Sequence, residues 1–148
     1  MEIERKYLVT SDCYKEMAVA RYHIIQGYIS REKTGTVRVR ITDDKAYLTI
    51  KGKPAVGHFA RYEWEKEIEI TDAKELIKLC QGTIIEKTRW IVPAAEDGLK
   101  WEVDEFHGRY QGLEVAEIEL ESEDQIVELP AFVGKEVTDD PQYYNANM

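Results

Sequence analysis

Apolar and polar residues alternate along most of the chain with a period of two, the spacing of β-strands whose two faces meet different surroundings. The alternation predicts eight strands, over residues 2–9, 22–31, 36–42, 46–51, 61–70, 84–92, 99–106 and 113–121. Gly27 in the second strand suggests a bulge, and Lys33-Thr34-Gly35, Asp43-Asp44 and Asp97-Gly98 read as turns between neighbouring strands. Two stretches instead have helical spacing. Tyr14, Met17 and Ala18 follow the capping sequence Thr10-Ser11-Asp12, and Leu76, Ile77 and Cys80 fall on one side of a helix over 73–81, opened by Asp72 with Glu75 and stopped by Gly82. Residues 52–60 (GKPAVGHFA) read as a loop, and the tail over 128–148 as a short helix or an ordered cap.

Short turns between successive strands imply an antiparallel meander, and eight strands suffice to close a barrel and remove its edges. The expected fold is therefore α+β and mainly β: an eight-stranded antiparallel barrel in a single domain over residues 1–148, with both helices outside. One set of strand positions holds Ile3, Val37, Val39, Ile41, Leu48, Ile50, Trp64, Trp90, Trp101, Val103, Ile118 and Leu120. The alternate set is ionisable on strand after strand, and its signs are sorted. Arg38-x-Arg40 and Lys87-x-Arg89 are basic pairs, while Glu2-x-Glu4, Glu63-x-Glu65, Glu102-x-Asp104 and Glu117-x-Glu119 are acidic pairs. A solvated sheet face would mix signs to favour cross-strand pairing. Two readings stand on pattern alone: a barrel with a mixed-charge outer surface, or a water-filled barrel lined by charge with its apolar residues outside.

Composition narrows the functions. The net charge of −9 disfavours non-specific binding to nucleic acid or an anionic membrane, and no apolar run is long enough to span a bilayer. Cys13 and Cys80 stand singly and read as reduced thiols, and His23, His58 and His107 form no zinc-binding spacing. A cytoplasmic protein without a leader is expected. Within a charge-lined cavity the basic pairs suit phosphate oxygens, and the acidic pairs suit hard divalent cations that bridge to the same phosphates. That combination is the chemistry of metal-assisted phosphoryl transfer.

The opening Glu2-Ile3-Glu4-Arg5-Lys6 resembles the ExExK signature of the CYTH family, the triphosphate tunnel metalloenzymes. The resemblance continues through QGYIS (26–30), VRVR (37–40), LTIK (48–51), RYEWEKEI (61–68), EKTRW (86–90), WEVDEFHG (101–108), AEIEL (116–120) and GKEVTDDPQYYN (134–145). It implies an eight-stranded charged tunnel and a hydrolase that cleaves inorganic triphosphate to pyrophosphate and phosphate with Mg²⁺ or Mn²⁺. A nucleoside or thiamine triphosphatase, a class IV-type adenylate cyclase and a non-catalytic polyphosphate-binding module remain alternatives. Carried over position by position, the resemblance implies that Arg38, Arg40, Lys51, Lys87, Arg89 and Lys135 grip the triphosphate. It places Glu2, Glu4 and Lys6 at the reacting end, with Glu4, Glu63, Glu65, Asp104, Glu117 and Glu119 as metal ligands. The apolar outer face permits a homodimer.

Overall fold

The alternation is realised as one antiparallel sheet. A computed structural model describes residues 3–32, 34–53 and 61–148. Its elements in chain order are β1 (Glu4–Val9), α1 (Tyr14–Met17), β2 (Ala20–Glu32), β3 (Gly35–Thr42), β4 (Lys45–Gly52), β5 (Glu63–Ile68), α2 (Ile70–Ile77), β6 (Gln81–Pro93), β7 (Lys100–Phe106), β8 (Glu114–Glu119) and β9 (Val133–Glu136), followed by 3-10 turns at Pro141–Tyr143 and Asn145–Asn147. The strand order is β5-β4-β3-β2-β6-β7-β8-β1-β9.

The closed eight-stranded barrel expected from the sequence is corrected here in two respects. The sheet has nine strands, because the tail contributes β9 along the free edge of β1. It is also curled rather than closed, since β5 and β9 end the order and no ladder joins them among the described residues. The curl is tight. Lys6 on β1 and Gln26 on β2 lie four strands apart, about 19 Å in a flat sheet at normal strand spacing, yet they bond to Tyr143 and Asn145, two residues apart in the tail. The open edge at β5 carries Glu63, Glu65 and Glu67, charge of the kind that discourages edge-to-edge pairing.

Curling separates the two sets of strand positions onto different surfaces. The convex face is apolar and largely covered, except toward the β5 edge, where the register partners Ile50 and Trp64 are exposed. Tyr7, Tyr14, Val92, Trp101, Val103, Ala116, Ile118 and Phe132 form its main core, with Trp90 packed against it. Tyr14 of α1 meets Trp90 and Phe132 edge to face, and its hydroxyl bonds to Glu114. The second helix, α2, covers Val39 and Ala46 through Ala73, with Leu76, Ile77 and Cys80 alongside. Burying each of these larger side chains is worth about 1.5–3 kcal/mol. Both helices lie outside the curl, as the alternation predicted.

The register of β2 shifts against both of its neighbours around Tyr28, confirming the bulge that Gly27 suggested. A Cβ at Gly27 would stand 2.8 Å from Cys80 Sγ and 2.7 Å from Ile84 Cδ1, so a glycine lets α2 and the start of β6 close onto the strand. The helix boundaries also moved. The second helix starts at Ile70, with Glu69 at its N-cap, so the Asp72–Glu75 capping box does not form. Gly82, expected to stop that helix, lies inside β6 at φ 72°. Among the described residues no helix is long and apolar enough to cross a membrane.

Candidate active site

The concave face gathers the charged set. Arg38 and Arg40 come from β3, Lys87 and Arg89 from β6, Asp104 from β7, Glu117 from β8 and Lys6 from β1. Burial here is unusual for such residues. Lys87 is 0%, Asp104 1%, Lys6 6% and Arg38 9% exposed.

Asp104 is the anchor. Arg89 grips it with two bonds, Nε to Oδ1 at 2.8 Å and Nη2 to Oδ2 at 2.9 Å, while Lys87 Nζ donates to Oδ2 at 2.6 Å. The β6–β7 ladder sets this up, since Arg89 and Asp104 are direct partners in the register. Burial pushes the Asp104 carboxyl up, but Arg89 and Lys87 outweigh it and hold the group well below its ordinary range. A second pair lies beside it, where Lys6 Nζ stands 3.3 Å from Glu117 Oε1 across the β1–β8 ladder. Burial raises Glu117, but Lys6 brings it down to about 2 with help from Arg89 and Lys87, so it is ionised at neutral pH.

The cations outnumber their carboxylates on the β3–β2–β6 side. Burial, with Arg38 and Arg89 nearby, lowers Arg40 to about 9. Burial likewise lowers Lys87 to about 7, against the pull of Asp104 and with Arg89 and Arg40 pushing the same way. Arg38 Nε is buried with no hydrogen-bond partner. Its Nη2 donates to Thr49 Oγ1 at 3.2 Å, and Thr49 donates in turn to Glu65 at 2.9 Å. Crowded cations and an orphaned buried donor suit an anion with several oxygens.

The carboxylates form a second zone. Glu4 lies opposite Glu119, and Glu102 opposite Glu117, on adjacent strands. Such neighbours stand about 4.5–5.5 Å apart at Cβ, where like charges repel unless a cation intervenes; Lys6 does so at Glu117, and Arg89 Nη1 at Glu102, 3.3 Å from its Oε2. Their oxygens are the hard donors that Mg²⁺ and Mn²⁺ prefer. Among the described residues no three or more His, Cys, Asp or Glu side chains converge as a ready metal centre. Mg²⁺ in phosphate sites takes one or two carboxylates and fills its remaining positions with water and phosphate oxygens, so the residues present fit it.

The remaining expected residues are more scattered. Lys51 and Glu63 are register partners on β4 and β5, at the open side of the curl. Glu65 lies beside Arg38 at 3.9 Å, and Lys135 is exposed on β9, lining a cleft with Arg5 and Glu136. Glu2, and most of the loop expected over 52–60, lie outside the described residues. Three residues in the site had been given no role from the sequence: Gln26, Thr49 and Asn145. Gln26 is 0% and Thr49 1% exposed, and each lies in phase with charged lining positions of the sheet. That phase was the available signal, masked because neither side chain is charged.

The tail crosses the concave face. Lys6 Nζ donates to the Tyr143 carbonyl at 3.0 Å, and Lys87 Nζ to Asn145 Oδ1 at 2.8 Å. Beyond them Met148 packs on Ile85, Phe106 and Val115, with Tyr143 alongside, in a small apolar cluster.

Comparison with known proteins places these features in company. The CYTH domain family matches residues 1–144. An inorganic triphosphatase of Acetivibrio thermocellus is 43% identical over 148 residues, covering 99% of this chain and 92% of that protein. An inorganic triphosphatase of Nitrosomonas europaea is 32% identical over 147 residues, covering 97% and 93%. Among solved structures, that of an inorganic triphosphatase superposes with a TM-score of 0.67 at 30% identity, covering 99% of this chain and 93% of the other. A Pyrococcus horikoshii protein shares the fold at a TM-score of 0.66 and 24% identity, covering 82% and 79%.

Proposed function

Since the chain belongs to the CYTH family, we propose that it hydrolyses inorganic triphosphate to pyrophosphate and phosphate, with Mg²⁺ or Mn²⁺ as activator. The observation that carries this reading is the group Arg38, Arg40, Lys87 and Arg89 on the concave face, with Lys87 and Arg38 buried, Arg40 and Arg89 half-buried, and Arg38 Nε without a partner. A compact polyanion relieves the repulsion among these cations, and a triphosphate carries enough charge to face all four.

In this reading Arg38, Arg40 and Arg89 bind the phosphate oxygens, with Lys51 at the open side of the curl and Lys87 behind them. One or two of Glu4, Glu117 and Glu119 would hold the metal, which would neutralise phosphate charge and polarise the terminal group when bound. Glu4 orients a water in line with the terminal phosphorus and takes its proton. The new P–O bond forms as the bridging P–O bond breaks, and the leaving diphosphate gathers charge against the arginines. Lys6 keeps Glu117 ionised and directed into the site. Further curling of β5 over the anion would bring Glu63 and Glu65 toward it and complete the tunnel expected from the sequence; Glu2 and Lys135 belong to the same proposal at its margins.

The test is product analysis with inorganic triphosphate, ATP and thiamine triphosphate, each with and without Mg²⁺ or Mn²⁺. Metal-dependent phosphate release, strongest with inorganic triphosphate, is expected. Equal or faster turnover of either organic triphosphate would reassign the substrate, and no turnover of any of the three would overturn the reading.

A further inference from the structure

The strained cations on the concave face are joined by two neutral amides. Gln26 is fully buried on β2. Arg40 Nε can only donate, so the oxygen of the Gln26 amide must face it, at 2.8 Å. The Gln26 nitrogen is thereby turned toward Asn145, whose Oδ1 accepts from it at 3.1 Å. The same Asn145 oxygen accepts from Lys87 Nζ at 2.8 Å. The cation at each end fixes the orientation of both amides, and a continuous run Arg40–Gln26–Asn145–Lys87–Asp104–Arg89 results.

The residue types in this run are informative. Where the chain anchors Lys87 and Arg89 from β7 it uses a carboxylate, Asp104. Where it spans from Lys87 to Arg40 it uses amides. A carboxylate at position 26 or 145 would make the stronger hydrogen bond. It would also set a negative charge among the groups that face the substrate. An amide accepts from a cation without cancelling it.

We propose that Gln26 and Asn145 are positioning residues for the polyanion, a neutral bridge that spaces Arg40 and Lys87 while leaving the charge of both available to it. The inference rests on the triphosphate reading above and deepens it. It also gives the tail a part in the site: Asn145 is held in place by the Tyr143 carbonyl on Lys6 and by Arg31 Nη1, which donates to the Met148 carbonyl at 3.2 Å.

The variants Asn145→Asp and Gln26→Glu keep shape and add one charge; an aspartate at position 145 keeps both bonds that Asn145 accepts, whereas a glutamate at position 26 keeps the bond accepted from Arg40 and gives up the one donated to Asn145. Affinity for tripolyphosphate is read by calorimetry without divalent metal, and thermal unfolding is read alongside. Asn145→Asp is expected to retain the wild-type Tm, Gln26→Glu to lose some of it, and both to bind tripolyphosphate about tenfold more weakly or worse, the penalty of one unscreened like charge a few ångströms from the ligand. Wild-type affinity in both variants overturns the bridge alone. A parallel fall of Tm and affinity in both also overturns it, because the amides would then be structural only. A wild-type protein that binds no tripolyphosphate without metal overturns the bridge, and one that binds none with Mg²⁺ present either overturns the triphosphate reading with it.

Discussion

Asp104→Asn tests the electrostatic organisation of the site most directly. The substitution removes one charge and almost no volume. Lys87 and Arg89, which share the carboxylate, would be left buried with an amide between them. Breaking a buried ion pair from one side costs about 3–5 kcal/mol, most of it the stranded charge. Lys87 can escape part of that cost by losing its proton, since it already lies near 7. Arg89 has no such exit. The lower part of the range, about 3 kcal/mol, is therefore expected, a fall in Tm on the order of 10 °C for a domain of this size. Urea unfolding at pH 6 measures it. The pH dependence supplies a sign. Asp104 is depressed in the folded protein, so its contribution is complete above the unfolded carboxyl value of 3.8 and is lost as pH falls through the lower folded value. Lys87 loses its proton more easily once Asp104 is gone, so the gap between wild type and variant should narrow as pH rises through about 7, and it should shrink again in acid below the unfolded carboxyl value. A loss under about 1 kcal/mol at pH 6, or a gap that keeps widening below pH 3.8, would refute the argument that Asp104 holds the cations in place.

Arg38→Ala should raise KM and lower kcat while changing stability by less than about 1 kcal/mol, because the guanidinium has a buried nitrogen without a partner; unchanged kinetics would remove Arg38 from the site. Glu117→Gln should abolish metal-dependent turnover with an unchanged circular dichroism spectrum, and near-normal turnover would sink the metal assignment. Calorimetry at pH 8 in buffers of different ionisation enthalpy should show that wild type takes up more protons per triphosphate bound than Lys87→Met, because the anion restores a cation that burial had lowered to about 7; equal uptake would contradict this. Gly27→Ala should cost about 1–3 kcal/mol by overpacking against Cys80 and Ile84, and a neutral result would mean that β6 or α2 yields more easily than the contact distances imply.

The strands were readable because a period of two survives at almost every position that the sheet buries on one side. Sorting of sign raised the charged face as a lining but left a solvated outer surface equally open; the curl decides between them, because Arg38, Arg40, Lys87, Arg89, Asp104 and Glu117 all meet on the concave side. Closure was not readable. It depends on whether β5 pairs with the far edge, and Val133–Glu136 occupies that edge instead, in a four-residue strand too short to carry a period of its own. The start of α2 was misplaced because Asp72 and Glu75 mimic a cap while the backbone turns helical one residue after Glu69. Gln26 and Asn145 escaped for a different reason. Neither has charge, and their importance comes from two cations that only the fold brings within reach of one another.

The open side of the curl between β5 and β9 has a kinetic consequence. A trough open along its length can be entered and left broadside, so molecules bound side by side on its floor need not pass one another in single file, and the shape of the sheet imposes no order on their departure.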